Sequence, residues 1–145
     1  MTRALRNVER LLGGRVAIGG PVRTDLDLAE AIERGFPYRV VVHVTSGAGS
    51  WLSARELYNF IPRRTLEHRM KLSRLTSEQS DRLARVARIT ALAEEIFGSA
   101  AKARTWLRRK TRPLGGKAPF DLLGSDAGAA AVDDLLGRIE HGIAA

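Results

Sequence analysis

Leu83, Val86, Thr90, Ala93 and Phe97 recur at three- and four-residue spacing, and Ile89, Leu92 and Ile96 widen the same stripe. That period is helical, so residues 77–97 are predicted to form one long amphipathic helix. Thr76-Ser77-Glu78-Gln79 opens it as a capping box and Gly98 closes it. Ser99 caps a following helix that carries Ala103, Trp106 and Leu107 inward and ends before Pro113. Leu114-Gly115-Gly116 reads as a turn and residues 119–123 as a short apolar helical piece. A last helix, Asp126–Glu140, places Val132, Leu135, Leu136 and Ile139 on one face, with Ile143 extending it.

Upstream the pattern is less regular. Residues 1–24 contain Gly13-Gly14 and Gly19-Gly20-Pro21 without sustained periodicity, which predicts a flexible arm with a short ordered piece near residues 8–12. Thr24 suits the N-cap of a helix at Asp25–Arg34, with acids in its first turn and Gly35 as its stop. Tyr38–Thr45 carries Val40-Val41-Val42-His43-Val44, which is locally strand-like. A lone strand would leave both edges unpaired, and no other segment offers a mate, so a buried helix is the first reading and a strand the alternative. Ser53-Ala54-Arg55-Glu56 is another capping box, with Leu57 and Phe60 on the inner face behind it. Ile61-Pro62 interrupts, the proline standing just inside a second helix at Arg63–Lys71. Short helix, tight break, short helix is a helix-turn-helix arrangement. The expected fold is all-α, with an arm (1–24), a helix-turn-helix domain (25–74) and a small C-terminal helical domain (75–145).

Charge gives this plan a direction. The chain of 145 residues has net charge +8, which favours an anionic partner. Residues 55–75 carry a net +4 and residues 112–145 a net −2, suggesting two faces with different partners. On a helical wheel Leu66 and Met70 point inward, Arg64, Glu67, His68 and Lys71 outward, and Arg63, Thr65 and Arg69 flank them. A major groove accepts such a helix: Arg reads guanine, Glu accepts from cytosine, and the other cations hold phosphates. A solvated arginine-rich surface is the alternative.

Other chemistries find no support. His43, His68 and His141 have no partner at metal-ligand spacing, and there is no cysteine, so neither a metal nor another cofactor is expected. Gly47-Ala48-Gly49-Ser50 lacks the residues of a phosphate loop or nucleophile elbow, and adjacent Asp133 and Asp134 point apart on a helix. No catalytic residue is assigned. No apolar run suits a membrane span, and Arg3, Arg6 and Arg10 precede no apolar segment of a secretory signal, so a cytoplasmic protein is expected.

The order of motifs resembles the Xre/MbcA/ParS antitoxins. Pro62, Arg64, Thr65, Leu66 and Arg69 match one segment; Leu75, Thr76, Gln79, Ser80, Arg82 and Leu83 match the next. Ala103, Trp106 and Leu107 follow, then the turn Leu114-Gly115-Gly116-Lys117-Ala118-Pro119, then Leu136, Ile139 and Gly142. One departure is Pro113-Leu114, where family members carry Asn before the glycines. The resemblance implies a dimeric antitoxin that represses its own operon through an Xre-like helix-turn-helix. It also implies that the C-terminal domain covers the active site of a RES-fold toxin, an enzyme that degrades NAD⁺ or transfers its ADP-ribose. Implied partners are that toxin, in a hetero-oligomer, and operator DNA. By position, toxin contacts are expected from Gly116, Lys117, Pro119, Leu122, Arg138, Ile139, Glu140, His141 and Gly142, and DNA contacts from Arg63, Arg64, Thr65, Glu67, His68, Arg69 and Lys71. A regulator whose C-terminal domain only dimerises, or an adaptor that binds no DNA, is the alternative.

Overall fold

Five helices open on a hydroxyl that accepts an otherwise unpaired amide three residues on. The computed structural model describes residues 3–142, and within them Thr24, Ser53, Thr76, Ser99 and Ser125 make this bond. Asp27, Glu56 and Gln79 reciprocate at the first three, accepting from the cap residue's own amide. Each cap of this kind stabilises its helix by about 1 kcal/mol.

The elements are α1 (Arg3–Leu11), α2 (Gly14–Ile18), α3 (Asp25–Arg34), α4 (Tyr38–Thr45), α5 (Ala54–Leu57), α6 (Arg63–Lys71), α7 (Ser77–Phe97), α8 (Ala100–Arg108) and α9 (Asp126–Glu140). Short 3-10 turns stand at Arg112–Leu114 and Pro119–Leu122. The described residues contain no strand, and the protein is all-α. Two compact units, residues 1–87 and 88–145, divide the chain within α7, later than the 74/75 division expected from sequence.

In the first unit the predicted arm is corrected. Residues 3–18 form α1 and α2, and Val8, Leu11, Leu12, Ile18 and Val22 are buried. Val8, Leu11 and Leu12 share one helical face, but nine residues are too few to hold a helix alone, so tertiary packing decides. The Trp51 indole donates to the Leu11 carbonyl at 2.7 Å, and the Val22 amide donates to the Glu9 carboxylate at 2.7 Å. The two Gly-containing breaks are joints between ordered pieces. Burial likewise settles the valine run, where α4 keeps Val40, Val41 and Val44 inside and exposes half of Val42.

Residues 35–38 are pinned to residues 73–80. The Leu75 amide donates to the Phe36 carbonyl and the Tyr38 amide to the Ser73 carbonyl, each at 2.9 Å. Arg74 Nη1 donates to the Gly35 carbonyl at 2.5 Å. Fully buried Ser80 accepts from the Phe36 amide and donates to the Thr76 carbonyl, both at 2.7 Å. The start of α4 is thereby held against the start of α7.

In the second unit Ala103, Leu107, Leu123, Val132 and Leu136 are fully buried. The Pro119–Leu122 turn packs against both α8 and α9. Ile139 is half-buried, and Ile143, expected to extend its stripe, lies outside the described residues.

Candidate DNA-reading and partner-binding surfaces

Helix α5 is a single turn, and the chain continues in turns to buried Phe60 and Ile61. Pro62 is the N-cap of α6 and not its first helical residue. Leu66, 4% exposed, is the one buried residue of α6, so its last turn carries no buried apolar anchor. Met70 was expected inside and is 54% exposed, as is neighbouring Leu72 at 52%.

The predicted DNA contacts separate into three groups. Arg64, His68 and Lys71, at i, i+4 and i+7, are exposed together on one face. Arg63 and Glu67 are also exposed but bond each other, Nε to Oε1 at 3.0 Å. Thr65 and Arg69 are half-buried, and Arg69 Nε donates to the Arg74 carbonyl at 2.7 Å, tying α6 to the loop that follows it. The Tyr38 phenol titrates above its ordinary range because it is partly buried, and secondarily because Tyr58 and Glu67 face it.

The predicted toxin contacts differ in exposure and in place along the chain. Gly116 and Lys117 lie exposed in a tight turn closed by the Gly116 amide on the Thr111 carbonyl at 3.0 Å and the Thr111 amide on the Lys117 carbonyl at 3.1 Å. Pro119 is buried, because the 3-10 turn it opens packs against α8 and α9. Leu122 is half-buried and its carbonyl oxygen lies against Gly128, in the N-terminal half of α9. Arg138 follows Gly128 by ten residues on that helix, about 15 Å along the axis. Arg138, Glu140, His141 and Gly142 are exposed, with Glu140 Oε1 and His141 Nε2 4.0 Å apart, while Ile139 is half-buried.

One surface escaped the sequence reading. Residues 100–117 hold Lys102, Arg104, Arg108, Arg109, Lys110, Arg112 and Lys117 and no acid, and all seven cations are exposed. Charge counts over 55–75 and 112–145 pass over residues 100–111 and five of these cations, although the same count applied between them finds those. Arg108 lies over the Phe120 ring, 4.6 Å from its centroid. The end of α7, α8 and its C-cap Arg109 border an open cleft of about 350 Å³ lined by Phe97, Ala101, Lys102, Thr105, Trp106 and Arg109. Its two rings form a tilted pair with centroids 5.5 Å apart.

Among the described residues no group of three or more His, Cys, Asp or Glu side chains is placed to hold a metal ion, and no helix is long and apolar enough to cross a membrane.

Residues 92–142, within the second unit, match the model of the antitoxin Xre/MbcA/ParS C-terminal toxin-binding domain. The chain is 35% identical over 120 residues to the antitoxin Xre of Pseudomonas putida, a match covering 82% of this chain and 74% of that protein. It is 34% identical over 128 residues to the antitoxin Xre of Yersinia enterocolitica, covering 87% and 86% of the two. A shorter match, 41% over 71 residues and 48% of each chain, relates it to the antitoxin Xre of Photorhabdus laumondii. With most of its length similar to Xre antitoxins and its second unit matching their partner-binding module, the chain belongs to the Xre antitoxin family and carries a C-terminal toxin-binding domain.

Proposed function

We propose that this antitoxin neutralises a RES-type toxin acting on NAD⁺ and represses its own operon by presenting α6 to DNA, working in the cytoplasm as a dimer. The observation that carries the reading is the pairing in one chain of a toxin-binding domain over residues 92–142 with a helix whose Arg64, His68 and Lys71 are exposed on one face. A toxin site built for a pyrophosphate is cationic, and the exposed carboxylate of Glu140 at the end of α9 complements it. Arg138, His141 and the turn at Gly116-Lys117 supply further contacts, with Leu122 and Ile139 giving partly exposed apolar area. On the DNA side, Arg64 and its neighbours approach base edges and phosphates, and the Arg63–Glu67 pair opens for Glu67 to act as an acceptor.

Co-expression with the product of the adjacent gene, assayed for NAD⁺ consumption, tests the first half. The expected result is a stable complex in which NAD⁺ consumption by the partner is suppressed. Unchanged NAD⁺ loss in the presence of excess antitoxin overturns it.

A further inference from the structure

We propose that the cleft between Phe97 and Trp106 is a second docking point for the toxin, filled by a large apolar side chain on an acidic segment of that protein. This rests on the toxin-binding reading above and adds a partner chemistry to it.

The rim sets the charge of the occupant. Lys102 on α8 and Arg109, the extended C-cap residue of that helix, both line the cleft. Neither is ion-paired among the described residues, although the second unit contains Asp121, Asp126, Asp133, Asp134 and Glu140. The surrounding stretch, seven cations without an acid, attracts an anionic occupant and disfavours a cationic one.

The lining sets its shape. Ala101 and the two rings are apolar, and the Thr105 hydroxyl is already committed to the Ala101 carbonyl at 3.1 Å. A volume near 350 Å³ accepts one large side chain. A small aromatic-lined hollow with a cationic rim is the form that binding hot spots take, where one buried anchor is ringed by polar contacts.

Nucleic acid fits less well. Bases bind on exposed ring faces, and Trp106 is only 7% exposed. The whole cleft also falls inside residues 92–142, the toxin-binding domain. Toxin contact at the α9 end uses negative charge and contact here uses positive charge, so the two points select a partner with a matching dipolar surface.

The test uses the full chain and the toxin partner of the proposed reading, with dissociation constants measured by calorimetry. Lys102→Glu combined with Arg109→Glu changes exposed side chains only, and circular dichroism checks that the fold is retained. The double variant is expected to weaken capture at least about tenfold. Thr105→Trp, which fills the cleft without changing charge, is expected to weaken it comparably. Lys110→Glu, away from the lining, is expected to stay within about twofold of the unaltered chain.

Undiminished capture by the double variant or by Thr105→Trp overturns the inference. A loss in Lys110→Glu as large as that of the double variant overturns it in favour of net charge. Loss of duplex-DNA retention by the double variant, with toxin capture intact, reassigns the surface to nucleic acid. Failure of the unaltered chain to capture the toxin removes the functional reading itself, and this inference with it.

Discussion

Ser80 shows how a residue that reads as ordinary becomes structural. In sequence it is a polar position in the first turn of a long helix; in the fold it is wholly buried and satisfies the Phe36 amide, 44 residues away. Ser80→Ala leaves that donor unpaired, so a loss of about 1–3 kcal/mol is expected in urea unfolding. A variant as stable as the parent sinks the assignment. Gly128 is similar, lying within the small Ala/Gly run 127–131, where nothing marks it as essential. A Cβ there overlaps the carbonyl oxygen of Leu122, which is backbone and cannot swing aside. Gly128→Ala is expected to cost about 1–3 kcal/mol or more by overpacking, despite alanine's better helix propensity. The neighbouring Ala129→Gly, measured beside it in thermal melts, is expected to cost about 1 kcal/mol or less.

At the scale of elements, most helices were legible because their signals are local. A cap acts across three residues, so Thr24, Ser53, Thr76 and Ser99 announce helix starts without any tertiary knowledge. The α1 and α2 helices were not legible, because they are short and depend on what Trp51 and Glu9 hold in place. Within α6 the wheel placed Leu66 correctly and Met70 wrongly, since periodicity gives a face but not the depth to which each turn is buried. The structure also separates roles the wheel merges. If α6 reads DNA, Arg64→Ala is expected to weaken operator binding by about 1–3 kcal/mol with the melting temperature unchanged. Arg69→Ala is expected to lower the melting temperature instead, because its guanidinium ties the α6–α7 loop. Gel-shift titrations at several salt concentrations check the first, which fails if neither salt nor the substitution alters affinity.

At the scale of the molecule, the functional proposals divide along the chain. Deletion of residues 137–145 removes Arg138, Glu140 and His141 but leaves buried Val132, Leu135 and Leu136 in place. In cells expressing the toxin, the shortened chain is expected to lose protection while still repressing the promoter. Full rescue of growth by it removes the α9 end from the mechanism. The sequence by itself determined the all-α class, the position of most helices and the family, because capping and helical periodicity are short-range and motif order is carried by the chain alone. Only the tertiary structure decided that residues 3–22 are ordered, that Pro119 is covered, and that Leu122 stands about 15 Å from Arg138 along α9. It alone also placed Lys102 and Arg109, two of the seven cations of residues 100–117, at the rim of an aromatic cleft. Burial and convergence depend on contacts between residues far apart in sequence, and no local pattern encodes which of them meet.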